Sequence, residues 1–517
     1  MELTQNFKYF KIWVKAIHIS LCSFLFLYSI GVFNPCQLNV AGTLNWGSNT
    51  AAYINLFSTL LAVGQFLGCM MTGKLIDHYG RRKTLIIVNT IFIFGSIILV
   101  MPETVCFGIG RVLVGVSTGI GAALGPIYLG ESTPIEMIPK VGPIIYAFGG
   151  AGMITAYAFG LMLPVDNFET DPNSHLWIFM FLFPVLVAGY QLLYFIFFVK
   201  YDTPQFYLSK KNSCIAERAL KETHGEQSIS HGLRRVNSEI EGKSVNGIKL
   251  SFIDMIRNKK FTKMIRVGVM FAAIQQLCGI TAIFFYSTDT FYRLGGGLFL
   301  ARVLTLIIGI VYCCSCLFGV WLLKIFGRKT LLIFGQASVS VILLLMAVFS
   351  GYIKADPLIA AIFLILYFVP SGCAIVSTGW LYATEVLNDQ IFSFASSLSF
   401  GFGIIIAFLF PISVQYIKIS NTFLIFSVCM GICCLYSIID FIETKDKDKE
   451  TILIEMGVID SRVIPRVVEN NSLQSPEDFE VEENSDKNEL DEYEKRLGLN
   501  STGFNDSGLS IKEKTHN

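Results

Sequence analysis

The chain has 517 residues, of which 53% are hydrophobic, 13% aromatic and only 15% charged. Ordinary soluble domains are neither so apolar nor so poor in charge, so the composition points to an integral membrane protein. The formal net charge of +1 conceals a split, because residues 443–517 carry 19 acidic and 10 basic side chains while the chain before them carries 20 and 30.

After Lys8, Lys11 and Lys15 comes an apolar run from about 16 to 33 without a small-residue cleavage site, which reads as a retained first helix. Further spans are expected at about 51–76, 84–101, 105–128, 143–163 and 176–199. A charged stretch at 200–263 follows, then spans at about 264–291, 299–323, 330–353, 357–381, 392–414 and 420–442. The predicted organisation is a short N-terminus (1–11), a six-helix bundle (12–199), a helical linker (200–263), a second bundle (264–442) and an acidic tail (443–517) expected to be disordered.

Basic residues gather in alternate loops, at Arg81-Arg82-Lys83, 200–263, Arg328-Lys329 and Lys445. By the positive-inside rule both termini and the long loop are cytoplasmic, so the Asn-x-Ser/Thr triplets at Asn470, Asn500 and Asn505 stay unglycosylated. The plasma membrane is the expected location, with an internal vacuolar or vesicular membrane as the alternative.

Ten of the 13 cysteines lie in apolar segments, where thiols pack as small hydrophobes. They form no disulfide framework and no paired Cys-x-x-Cys spacing, and neither a phosphate-binding loop nor a His-Glu-x-x-His is present. No cofactor, metal, hydrolytic chemistry or nucleic acid is therefore expected; the lipid bilayer and a small solute are.

The two halves echo each other. Gly80-Arg81-Arg82 recurs as Gly327-Arg328-Lys329, Glu131 as Glu385, and Asp202-Thr203 as Glu443-Thr444, each about 250 residues later. Duplicated halves of this kind place a cavity at their interface. Within the run at 264–291, Gln275 and Gln276 put two carboxamides where hydrocarbon should be, so a neighbouring helix or a polar solute must satisfy them. The run is too long for one straight span, and Gly279 marks where it would break.

These landmarks resemble the sugar porter family of the major facilitator superfamily, over about residues 12–456. Gly73 to Lys83 is similar to the loop signature Gly-x-x-x-Asp-Arg-x-Gly-Arg-Arg, with Asp77 in register and His78 in place of Arg. Gly110-Arg111 with Gly115 and Gly119 resembles the start of helix four, and Glu131-Ser132-Thr133-Pro134 its end. Gln275-Gln276 with Gly279, Trp380 with Glu385, and Glu443-Thr444-Lys445 resemble the helix seven, helix ten and C-terminal motifs. The resemblance implies an all-α fold of twelve transmembrane helices in two pseudo-symmetric bundles. It also implies a central sugar site and charges at cytoplasmic helix ends that bridge when that side closes: Asp77, Arg81, Arg82 and Glu131 in the first half, Arg328 and Glu385 in the second. Arg111, near the outer end of the fourth span, is grouped with these charges as a residue that either snorkels to the interface or pairs within the bundle.

Several positions depart from the family pattern. Thr281 stands where an Asn is usual, Val376-Ser377 replaces Gly-Pro, Lys324 replaces an acid, and Ile442 replaces a Pro. Ungapped counting puts Tyr146 and Tyr312 at positions of a Gln and an Asn.

A hexose offers hydroxyls, which carboxamides match as donors and acceptors, and apolar C–H faces, which an indole matches. Gln275, Gln276, Thr281, Trp380, Tyr146 and Tyr312 are thus the candidate solute-binding residues, with Phe285 closing over the solute; a membrane-interface anchor is the other reading of Trp380. Proton-coupled members of the family have an Asp in helix one, and Tyr28 to Asn34 contains no acid. The expected activity is facilitated diffusion of a hexose or related neutral polyol. The alternatives are a proton-coupled sugar or inositol symporter and a non-transporting sensor whose acidic tail engages a cytoplasmic partner.

Overall fold

The computed structural model describes residues 2–134, 137–166, 171–210, 212–224, 257–293, 297–351, 357–447 and 449–458. Residues 225–256 of the linker, and the tail from 459 with its three Asn-x-Ser/Thr triplets, lie outside the described residues.

Among the described residues there is no strand, and eleven helices are long and apolar enough to cross a bilayer. The 17-residue apolar helix Ile144–Gly160 completes twelve segments. Helices dominate because in hydrocarbon a segment must satisfy its own backbone N–H and C=O groups. The first half comprises α1 (Glu2–Gly31), α2 (Phe33–Thr43), α3 (Thr50–Tyr79), α4 (Arg81–Leu99), α5 (Thr104–Ser132), α6 (Ile138–Val141), α7 (Ile144–Gly160) and α8 (Leu176–Phe197). Two short helices follow, α9 (Pro204–Ser209) and α10 (Ser213–His224). The second half comprises α11 (Thr262–Leu277), α12 (Ile280–Arg293), α13 (Leu298–Ile325), α14 (Arg328–Gly351), α15 (Pro357–Pro370), α16 (Ser377–Val386), α17 (Asp389–Ile417) and α18 (Ile419–Asp440), with α19 (Lys449–Glu455) beyond it.

Two of the spans are broken where the site lies. Between α11 and α12, Gly279 adopts φ +84°, a left-handed conformation that ends one helix and re-aims the next. Between α15 and α16 a π-helical turn covers Ser371–Val376, immediately after Pro370. Such turns loosen the regular ladder and free carbonyl oxygens for other donors. The sequence predicted the first break from length and glycine; the second carries no signal as plain.

At the basic-loop end the echo between the halves extends to individual atoms. The Asp202 carboxylate accepts the backbone N–H groups of Arg81 at 3.1 Å and Arg82 at 3.0 Å, which caps α4 from outside. Glu443 does the same for α14, accepting from Arg328 at 2.7 Å and Lys329 at 3.2 Å. Arg81 pairs with Glu131 at 2.6 Å and Arg328 with Glu385 at 3.0 Å. The hydroxyls of Thr203 and Thr444 donate to the second oxygens of Glu131 and Glu385, at 2.7 Å and 2.5 Å. Gly80, with φ +82°, makes the turn into α4, and a side chain there would strike Asp202. Each network closes within its own half.

Two expectations about these charges change. Asp77 is exposed and makes no ion pair among the described residues. The buried face of the last turns of α3 carries Thr72 and Ile76, and Asp77 is one step around the helix from it. Lys324, at the matching place in α13, is also exposed, so its change of charge leaves the second network intact. Arg82 uses its guanidinium on the carbonyls of Phe195 at 3.0 Å and Ile196 at 3.1 Å, at the C-terminal end of α8, where cations are favoured.

Asp202→Ala strands two backbone donors and is expected to lower stability by about 2 kcal/mol. Asp77→Ala is expected to change it by less than about 0.5 kcal/mol. Thermal unfolding of the purified protein in detergent measures both, and equal shifts would contradict the division of roles.

Candidate solute-binding site

The two glutamines at the end of α11 have different duties. Gln275 is 4% exposed, and its Nε2 donates to the carbonyl of Ile375 in the π-helical turn at 3.0 Å. The neighbouring helix therefore satisfies its donor side, and Oε1 accepts no hydrogen bond among the described residues. Gln276 is half-buried, its Oε1 accepting from the Thr281 hydroxyl at 2.6 Å and its Nε2 donating to the Ser399 hydroxyl at 3.3 Å. With one partner on each end the amide is held in a single orientation. Thr281, short enough to reach back across the Gly279 break, supplies the hydroxyl; Ser399 on α17 was not foreseen, since a serine in an apolar helix carries no signal of its own.

Trp380 packs edge-on against Phe271 and Phe392, with ring centroids 5.3 Å and 6.1 Å away. It is half-buried among α11, α16 and α17, which is not the setting of an interface anchor. Its neighbour Gly379 lies against the Gln275 amide, so indole and carboxamides belong to one region of the second half. From the first half Tyr146 reaches this region, its hydroxyl donating to the carbonyl of Ser377 at 3.4 Å, a long and weak bond.

Two candidates sit differently from the expectation. Tyr312 is 5% exposed, its ring packed edge-on against Phe284 at 5.0 Å and Phe368 at 6.1 Å. The flat ring fills an aromatic layer, which an amide in its place could not do. Phe285 is 1% exposed, and its carbonyl accepts from Gln37 Nε2 at 2.9 Å. Its segment is thus tied to α2 by backbone. In the same way Asn34 donates to the Phe284 carbonyl at 2.9 Å and accepts the Thr288 N–H at 3.1 Å. These amides join the halves at the end opposite the basic loops. Asn34 and Gln37 carry the same mark in the sequence as Gln275 and Gln276, an amide in an apolar run, and they tie α2 to α12.

Arg111 is not an ion-paired gate residue. It is fully buried in α5, donates to the carbonyls of Phe57 at 3.1 Å and Ser29 at 3.3 Å, and lies 5.0 Å over the Phe33 ring. No carboxylate pairs with it among the described residues. Ser29 stands in the last turn of α1, where carbonyls lose their helical partners and serve the cation instead.

The comparisons agree with this architecture. The family model described as "Sugar (and other) transporter" matches residues 15–454. The major myo-inositol transporter IolT of Bacillus subtilis is 25% identical over 438 residues, 81% of this chain and 89% of its own length. The glucose transporter GlcP of Staphylococcus epidermidis is 26% identical over 440 residues, 84% of this chain and 94% of its own. Among solved structures, the inward-open conformation of the xylose transporter XylE from E. coli aligns with a TM-score of 0.70 at 17% identity, covering 85% of this chain and 99% of that one. With a family model spanning most of its length and the twelve-segment fold to match, this multi-pass membrane protein belongs to the sugar porter family of the major facilitator superfamily.

Proposed function

We propose that the protein is a uniporter for a hexose or a related neutral polyol, working by alternating access as the two halves rock about the region around Gln276. The observation that carries this reading is the neutral amide and hydroxyl cluster of Gln275, Gln276, Thr281 and Ser399 beside the Trp380 indole. Its groups are both donors and acceptors, which suits hydroxyls and gives a charged solute no counter-charge. The free Gln275 Oε1 accepts a solute hydroxyl, the Gln276 amide exchanges one of its partners for another, and the indole covers a C–H face.

Uniport rather than proton symport is supported by where the acids are. Among the described spans the carboxylates stand at helix ends, as with Glu131 and Glu385, or in an exposed ion pair, as with Asp289 and Arg293 at 2.7 Å. Among the described residues Arg111 bonds only carbonyls and a ring, and no carboxylate stands beside it to take and release a proton. The similarity to proteins named as glucose and myo-inositol transporters supports the solute class. Taking the basic-loop end as cytoplasmic, the capped networks of Arg81 with Glu131 and Arg328 with Glu385 stiffen the helix ends that part when the inner side opens.

Uptake of labelled glucose, fructose and myo-inositol into vesicles lacking other transporters identifies the solute. Gln276→Ala is expected to lower kcat/KM at least about tenfold, and Thr281→Val, which releases the amide, about threefold, mainly through KM. Unchanged uptake by Gln276→Ala would overturn the placement of the site. A protonophore is expected to leave the initial rate of uptake unaltered, with the solute never concentrated above the external level; concentration that collapses with the pH gradient would establish symport instead.

A further inference from the structure

At the end opposite the basic loops a second buried arginine crosses from one half to the other. Arg302, near the start of α13, is 1% exposed. Its Nε donates to the Pro35 carbonyl at 3.1 Å, its Nη1 to the carbonyls of Leu163 at 2.7 Å and Pro164 at 3.1 Å, and its Nη2 to Asn39 Oδ1 at 2.7 Å. All four acceptors belong to the first half. Leu163 and Pro164 follow the end of α7, where carbonyls have no helical partner, and Asn39 steadies the cluster by donating to Pro164 at 3.3 Å. No carboxylate pairs with Arg302 among the described residues.

The arrangement differs from ordinary helix packing in two ways. Every guanidinium nitrogen is occupied by a charge-assisted bond, so the planar fork fits only when the halves are together. The partners are dipoles and not a fixed negative charge. When they part, water can hydrate cation and carbonyls alike, and neither side is left with an unpaired opposite charge in an apolar surround. The contact is strong enough to hold and cheap enough to release.

We propose that Arg302 is the pin of this face: its withdrawal from Pro35, Asn39, Leu163 and Pro164 is the polar step by which the end opposite the basic loops opens. The proposal rests on the alternating-access reading, but it concerns a conformational equilibrium that can be measured without any solute. Because the latch contains no acid, its release does not consume a proton.

The test is an electron–electron distance measurement between spin labels at Ser48→Cys and Tyr416→Cys, with Cys214→Ser and Cys314→Ser removing the exposed native thiols. Ser48, between α2 and α3, and Tyr416, in the last turn of α17, are exposed on the two halves at this face. The unsubstituted protein is expected to show mainly one short distance. Arg302→Ala is expected to raise the ratio of long to short distances about tenfold or more, with Arg302→Lys between the two. An unchanged distribution in Arg302→Ala would overturn the proposal. If that variant does not fold, Asn39→Ala decides, with a smaller shift in the same direction expected and no shift overturning it. Hexose flux measured on the same preparations separates the two claims, since a missing flux with an intact distance shift removes the transport reading alone.

Discussion

Inside a bilayer no water stands ready to complete a hydrogen bond, so every polar group in the spans must be met by another part of the chain or by a solute. This one constraint explains most of the particular contacts. Arg111 and Arg302 take carbonyls from neighbouring helices and from a loop. Asn34 and Gln37 hook the backbone of α12, and Gln275 takes the carbonyl that the π-helical turn sets free. At Gln275 Oε1 the remaining hydrogen-bonding capacity falls in the region around Gln276 and Trp380. The broken spans are thus a consequence of the same rule: irregular backbone stands where side chains can use the groups it exposes.

The two ends of the molecule are built on different principles. At the basic-loop end the carboxylates of Asp202 and Glu443 cap helices and the ion pairs close within one half, linking the helix ends of that half to one another. At the other end, neutral amides and an arginine that no carboxylate pairs among the described residues connect the halves through carbonyl and amide dipoles. In the proposed cycle the first set keeps the rods of each bundle together while the second sets which face is closed. A carrier needs both, because rocking requires stiff bodies and a contact that can be undone.

Much of the fold was legible in the sequence, and the reasons are physical. Twelve apolar runs must be helices once the solvent is lipid, and repeated landmarks such as Gly80-Arg81 and Gly327-Arg328 announce duplication before any contact is known. The site was legible in part. Gln275 and Gln276 stood out as costly residues, but chemical type alone could not say that Ile375 takes one amide and that Thr281 and Ser399 pin the other. Periodicity would have put Asp77 outside the network, since the buried face of α3 runs through Thr72 and Ile76. Arg111 was misplaced for a different reason. An arginine in a membrane suggests an acid, yet a carbonyl in the last turn of α1, another within α3 and a phenylalanine ring serve it as well, and such partners have no signature in the sequence.

The central claim is that a neutral site exchanges a neutral polyol between two faces without an ion gradient. Counterflow in proteoliposomes addresses it most directly: vesicles loaded with unlabelled hexose, with no pH or sodium gradient, are diluted into trace labelled hexose. The account predicts a transient accumulation of label that decays as the gradient of unlabelled sugar runs down. The absence of any transient, by a protein shown to be folded and correctly inserted, would contradict it.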